Sequence, residues 1–300
     1  MKENFRDYLR SKQFTHKSIE SSITVFNQYL KWTEKENLPE LEQVRYNDLL
    51  LFMKHCQRKG MSQRTIKHYM IIVRHYYDHL AAEGVIKSNP VTDIRIRGVK
   101  RKELYHILEP HELHALYHHY PAEMMRDKRN QVMLGLLVYQ GLRTEEIGRL
   151  RLNDVKIREG KIDVLGSRKT NGRLMQLEPH QVMDSYDYLL QVRPKLLEMN
   201  PKRKTQIRTA TEQLFIGEGG NCYNISNFIT QLMIKVRKIN PQVRNAKQIR
   251  ASVITKWLKV YNLREVQHLA GHRYISSTES FLQNDMEGLK EEVQQFHPLG

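Results

Sequence analysis

Residues 161–177, KIDVLGSRKTNGRLMQL, are where the chain changes period. Within them 161–165 (KIDVL) and 173–177 (RLMQL) are short β-type runs in which the period drops from about 3.6 to 2, as in a strand with one buried face. They bracket 166–172, and Asn171-Gly172 is the dipeptide most favoured for a two-residue hairpin turn. The pattern predicts one antiparallel hairpin. On both sides of it the apolar residues recur at the helical period instead. Ile19, Ile23, Phe26, Tyr29 and Leu30 form one such face, Leu49, Leu50, Phe52 and Met53 a second, and Ile66, Tyr69, Met70, Val73, Tyr76, Tyr77 and Leu80 a third. No glycine precedes Gly60 and no proline precedes Pro39, so the first part of the chain reads as three or four helices. Ser62 is placed to cap the last of these at its start, Gly84 to stop it, and Pro90 to end any continuation.

After the hairpin, helices are expected over 179–197, 225–239, 247–261 and 263–270, with a final amphipathic stretch over 286–296 that carries Met286, Leu289, Val293 and Phe296. Before it, one helix starts near Pro110 and another covers 128–140, ended by Gly141, with a short helix from Thr144. Arg95, Arg97, Lys100, Arg101 and Lys102 crowd around Gly98, too polar for a core. The expected organisation is a helical domain over 1–94, a basic linker over 95–104 and a second domain over 105–300. The fold class is mainly α with a small antiparallel β-sheet in the C-terminal domain.

A chain of 300 residues accommodates two domains, each with its own core. Lys and Arg number 49 against 33 Asp and Glu, a net charge of +16, which attracts polyanions. The longest apolar run, 132–139, is far shorter than the roughly 20 residues that span a bilayer. The first residues carry no apolar signal segment, so an intracellular, cytoplasmic protein associated with nucleic acid is expected, not a membrane protein. Cys56 and Cys222 cannot build a disulfide framework. His111, His114, His118 and His119 share one helix, and 114/118 has the spacing of a zinc pair. No Cys or acidic third ligand lies at a matching spacing, so no metal is expected. The run Lys202, Arg203, Lys204 and Arg208 reads as a solvated basic loop, with DNA contact as the alternative.

Chemistry on a nucleic-acid phosphodiester must stabilise extra negative charge on the non-bridging oxygens. Arginine suits this because its planar fork stays charged and bonds two oxygens at once. Arg143 follows Gly141-Leu142 at a helix stop, with Glu146 one turn later to orient its guanidinium. Lys169 lies in the hairpin loop, Lys247 and Arg250 sit one turn apart on one helix face, and His272 follows Ala270-Gly271 at a helix end. Each signal alone is ordinary, and their order along the chain is what carries meaning.

The set Gly141-Leu142-Arg143 with Glu146, Ser167-Arg168-Lys169-Thr170, Lys247-Gln248-Ile249-Arg250 and Leu269-Ala270-Gly271-His272 resembles the tyrosine recombinase, or phage integrase, family. Residues 65–91 look like the end of that family's helical, SAM-like core-binding domain. The resemblance implies a two-domain clamp around duplex DNA, with inverted core-binding sites, a tetramer on paired sites, a Holliday junction, an accessory DNA-bending protein and a role in moving or resolving a mobile element; it also implies that the stretch 286–296 packs onto a neighbouring protomer, where its own pattern equally suits closing the core of its own domain. It implies no metal or nucleotide cofactor. By position, Arg143 and Arg250 would hold the scissile phosphate, Lys169 would protonate the departing 5′-oxygen, Lys247 would add a donor, His272 would hydrogen-bond the phosphate and Glu146 would brace the site. Arg64, Lys67, His68, Arg74, Arg95, Arg97, Lys100, Arg101, Lys102, Arg168 and Arg173 are the expected DNA contacts.

Two departures stand out. Lys247 occupies a position that is often histidine in the family. More seriously, the nucleophilic tyrosine should fall about nine residues after His272, and there the chain has Phe281, which has no hydroxyl to esterify. Either a Tyr-to-Phe change stops cleavage, or the chain is a naturally silent relative that only binds or regulates DNA, or Tyr274 serves instead. A topoisomerase IB-like activity shares the chemistry without needing paired sites.

Overall fold

The computed structural model describes residues 2–38, 40–98, 106–199, 212–217 and 225–282. The chain divides into two compact units, Met1–Glu103 and Leu104–Gly300.

The first unit is helical: α1 (Lys2–Ser11), α2 (His16–Lys35), α3 (Tyr46–Arg58) and α4 (Gln63–Ala82). Its core is aromatic. Phe5, Phe26, Tyr29, Tyr76 and Tyr77 are all buried, and the Tyr29 and Tyr77 hydroxyls satisfy each other at 2.9 Å. Ser62 caps α4 as the sequence requires, its Oγ accepting from the Thr65 N–H, and Gly84 stops the helix at φ +73°.

The second unit is built around α6 (Met125–Val138), which is buried along most of its length and packs against α5 (Pro110–His118), α8 (Pro179–Asp187), α10 (Ile225–Ile239) and α11 (Ala246–Val260). The remaining helices among the described residues are α7 (Thr144–Ile147), α9 (Arg193–Glu198), α12 (Leu263–Leu269) and α13 (Ser276–Glu279). Between α8 and α9 a π turn, Tyr188–Val192, lets the Arg193 N–H reach the Tyr188 carbonyl. Pro194 has no N–H for a normal helical bond, and the wider turn accommodates it. The uninterrupted helix expected over 179–197 is therefore two helices joined by this turn.

The sheet has three antiparallel strands in the order β1 (Val155–Lys156), β2 (Lys161–Val164), β3 (Arg173–Gln176). β1, only two residues long, was too short to produce a periodic signal. Val164 pairs with Arg173 and Ile162 with Met175. The chain does not reverse at Asn171-Gly172. Ser167 and Thr170 exchange backbone hydrogen bonds, so the two-residue turn is Arg168-Lys169, and neither Asn171 nor Gly172 has a positive φ. Asn171 is used elsewhere: its N–H donates to the Gly271 carbonyl at 3.1 Å.

The linker residues Lys100, Arg101 and Lys102, the run Lys202, Arg203, Lys204 and Arg208, Cys222 and the amphipathic stretch 286–296 lie outside the described residues.

Candidate phosphate-binding site

The site begins at the stop of α6. Gly141 adopts φ +56°, and Leu142 donates back to the Leu136 carbonyl, so the chain turns sharply and delivers Arg143 to the start of α7. The Glu146 carboxylate accepts from the Arg143 backbone N–H at 2.9 Å. That corrects the expected contact with the Arg143 guanidinium: Glu146 fixes the Arg143 backbone, and its guanidinium partners are others.

The main one is Arg173. Its Nη1 and Nη2 donate to the two Glu146 oxygens, each at 3.0 Å, and both side chains are fully buried. Arg173 is therefore turned inward onto Glu146 and not exposed as an expected DNA contact would be. On β3 it shares the inward face with Met175, and the alternation that identified the strand already placed residue 173 with 175 and 177 on one side. The physical signal was in the sequence, but an arginine on a core face is uncommon enough to be read as solvated.

Arg250, from the middle of α11, reaches the same place. It donates to the carbonyls of Gly141 and Ala270, the latter at 2.7 Å, and its Nη1 lies 3.9 Å from Glu146. Burial, and then the nearby Arg143, pull its pKa down to about 9, with Glu146 opposing. Burial alone would raise the Glu146 carboxyl; the hydrogen bond and charge of Arg173, the Arg143 N–H and Arg250 outweigh it and hold the group below its ordinary value.

His272 completes the cluster. Gly271, at φ +61°, turns the chain out of α12, and a Cβ there would sit 2.3 Å from Arg173 Nη1, so only glycine fits. His272 is 3% exposed. Its Nε2 lies 3.2 Å from Arg250 Nη2, and its Nδ1 lies 2.9 Å from Thr278 Oγ1. Burial, followed by the charges of Arg250, Arg143 and Arg173, lowers its pKa to about 3, so the ring is neutral near pH 7. The Phe281 ring stacks on it, 5.8 Å between centroids and 15° between planes, and packs against Ile254, Val266 and Ala270.

The structure thus brings Arg143, Glu146, Arg250, His272 and Phe281 together. Arg143 keeps its Nε buried without a hydrogen-bond partner. Lys169 and Lys247 are exposed. Lys247 lies one turn before Arg250 on α11. Lys169 sits in the turn that is tied to the His272 loop through Asn171, through a Thr170–His272 bridge and through Arg273 Nη1, which donates to the Arg168 carbonyl at 2.8 Å. Tyr274 is 65% exposed, before α13. Sequence reasoning missed Arg173 as a brace, and it missed Asn171 and Thr278, whose roles come from partners about 100 and 6 residues away, outside any helix or strand period.

On α4 the side chains of Arg64, Lys67 and His68 are exposed. Arg74, two turns after Lys67, lies on the same side of the helix, but its guanidinium is engaged by the protein. Arg74 is half-buried, and its Nη2 donates to the carbonyls of Val91 (3.1 Å) and Thr92 (2.7 Å), holding the segment that follows the helix. Arg95 and Arg97 are exposed. His114 and His118 stack their rings 3.9 Å apart, and among the described residues no group of three His, Cys, Asp or Glu is placed to hold a metal. No described helix is long and apolar enough to cross a membrane.

The fold is shared with proteins that act on DNA. A lambda integrase dimer bound to a COC′ core site aligns over 92% of this chain and 95% of that one, with a TM-score of 0.65 and 15% identity. A tyrosine-to-phenylalanine variant of the Tn1549 transposon integrase, in complex with transposon right end DNA, aligns over 96% and 99%, with a TM-score of 0.63 and 15% identity. The architecture is that of the DNA integrases. In sequence, the phage integrase family model matches residues 106–287 and the phage integrase N-terminal SAM-like domain matches residues 3–84. The tyrosine recombinase XerC of Anoxybacillus flavithermus is 24% identical over 98% of this chain and 96% of its own length, and the XerD of Listeria innocua is 26% identical over 95% and 92%. The chain belongs to the phage integrase family, the tyrosine recombinases, whose members break and rejoin DNA.

Proposed function

We propose that this protein is a site-specific DNA recombinase that grips its sites through a complete phosphate pocket but does not cut them, because residue 281 is phenylalanine. The observation that carries the reading is the Phe281 ring stacked on His272, at the edge of a cluster that includes Arg143, Arg250 and the buried Glu146–Arg173 pair. Two arginines and a histidine converging on one point suit a phosphodiester, and the position that should supply the nucleophile supplies only a ring.

With tyrosine at 281, the chemistry would be a displacement at phosphorus. The tyrosyl oxygen forms a bond to the phosphorus and loses its proton to solvent. The bond to the 5′-oxygen breaks, and Lys169 gives that oxygen a proton, leaving a 3′-phosphotyrosyl ester and a free 5′-hydroxyl. Arg143 and Arg250 hold the non-bridging oxygens, Lys247 and His272 add donors, and no metal or nucleotide is consumed because the ester conserves the phosphodiester energy.

In this reading residues 1–94 and 105–300 bind duplex DNA with inverted core sites, and the basic residues of the linker 95–104 bind its phosphates. A homotetramer on paired sites, acting through a Holliday junction in the cytoplasm at a mobile element or a related exchange, fits this reading; a lambda integrase tetramer bound to a Holliday junction shares the fold, with a TM-score of 0.65 and 14% identity. A DNA-bending accessory protein fits the same scheme.

The test is a nicked suicide duplex, selected by footprinting, run on a denaturing gel. This protein is expected to bind it and give no covalent adduct, and Phe281→Tyr to give one. An adduct with the protein as it stands, formed through Tyr274 or any other group, refutes the reading, as does no adduct after Phe281→Tyr.

A further inference from the structure

The His272 ring is held at both edges, and the two edges make opposite demands. A guanidinium offers only N–H groups, so at 3.2 Å from Arg250 Nη2 the His272 Nε2 must present its lone pair. The neutral ring then carries its single proton on Nδ1, 2.9 Å from Thr278 Oγ1, where the hydroxyl accepts it. In that state Nε2 has no proton to give. Yet hydrogen-bonding a phosphate oxygen, the role argued above for His272, requires an N–H on that side.

Thr278 is the group that can reconcile the two states. Its residue is fully buried on α13, and its hydroxyl is both donor and acceptor. Rotation about its Cβ–Oγ1 bond turns it from acceptor to donor without moving the oxygen. We propose that Thr278 is the positioning residue for His272: its hydroxyl fixes the ring plane and, by reversing its hydrogen bond, lets the neutral ring move its proton to the nitrogen that faces a bound phosphate. When a phosphate oxygen takes over the Arg250 N–H that Nε2 accepts in the free protein, the Nδ1 proton is exchanged to solvent and another is taken up at Nε2; the Thr278 proton stays on its oxygen, and the net charge is unchanged. The low pKa of the ring, set first by burial, agrees with a change of tautomer in place of a second protonation.

This inference rests on the phosphate-pocket reading, and its test separates the two. Nitrogen-15 shifts of His272, assigned with His272→Gln, are measured in this protein free and with inorganic phosphate at saturation. The expected result is protonated Nδ1 in the free protein and protonated Nε2 with phosphate, the same pair of states in Thr278→Ser, and loss of the phosphate response in Thr278→Val. An unchanged response in Thr278→Val, or no response in the parent protein, overturns the proposal. In a Phe281→Tyr background and at saturating DNA, Thr278→Val is expected to slow adduct formation by roughly tenfold to a hundredfold, with the rate largely rescued by Thr278→Ser. If the nitrogen shifts behave as stated and Phe281→Tyr still forms no adduct, the recombinase reading fails while Thr278 keeps its role.

Discussion

In the N-terminal unit Arg64 and Lys67 of α4 face solvent over an aromatic core, whereas in the C-terminal unit Arg129, Arg173, Arg193 and Arg250 are all at most 7% exposed. The first arrangement needs only amphipathic helices: the charge stays hydrated and its aim is loose. The second removes guanidinium groups from water, which is tolerable only where each finds an acceptor. Arg193 is bonded to the carbonyls of Gln213 and Leu214, Arg129 to the Ile216 carbonyl, Arg250 to those of Gly141 and Ala270, and Arg173 to Glu146. Those acceptors fix the geometry. A surface lysine can attract a phosphate, while a buried arginine tied to two chain reversals can hold one atom in place.

The largest break in this contrast should come from Glu146→Ala or Arg173→Ala. Removing one partner strands a buried charge and should cost about 3–5 kcal/mol. The two tryptophans, Trp32 and Trp257, lie one in each unit. Urea unfolding followed through Trp257 in a Trp32→Phe background should shift strongly, and that followed through Trp32 in a Trp257→Phe background should barely move. Equal shifts in both would deny that the two units store charge differently.

Next comes Gly271→Ala. A side chain at φ +61° facing Arg173 should cost about 1–3 kcal/mol, again confined to the C-terminal unit. A loss below a few tenths would mean that the loop relaxes without cost.

The pH dependence sharpens the comparison further. His272 has a folded pKa near 3, below the ordinary value of 6.5, so between these limits the unfolded chain takes up a proton that the fold refuses. Stability should therefore fall as pH falls through that window, by at most about 1.4 kcal/mol per pH unit from this group. The difference between the parent protein and His272→Gln isolates it, and an identical acid limb in both would contradict the assignment.

In the N-terminal unit, Ser62→Ala should cost about 1 kcal/mol through the lost cap, read by Trp32 alone. The smallest structural effect is expected from Arg64→Ala with Lys67→Ala. Stability should be unchanged, while the slope of log affinity against log salt should fall by about two if each contacts one phosphate.

How much was legible beforehand differs along the same divide. Ser62 and Gly84 bounded α4, and the periodic apolar residues of 161–165 and 173–177 found β2 and β3, because caps and periods are local. The order of Arg143, Lys169, Lys247, Arg250 and His272 was readable as a motif. The partner of Glu146 was not: it bonds the backbone of residue 143 and the side chain of residue 173. Arg74, grouped by its charge with the outward face of α4, turns toward Val91 and Thr92 instead. Asn171-Gly172 is a strong turn signal by composition, yet the turn formed at Arg168-Lys169, because Asn171 had a better use against the Gly271 carbonyl.

The sequence by itself determined the helical class, the single small sheet, the polyanionic partner implied by a charge of +16, and the absence of a hydroxyl at 281. These depend on composition and on spacings of a few residues. Only the tertiary structure decided which of the cations are buried, that Glu146 and Arg173 form a closed pair, and that the His272 ring lies between Arg250, Thr278 and Phe281. Each of those requires segments distant along the chain to meet, and whether a guanidinium stays in water or leaves it depends on the acceptors it finds there.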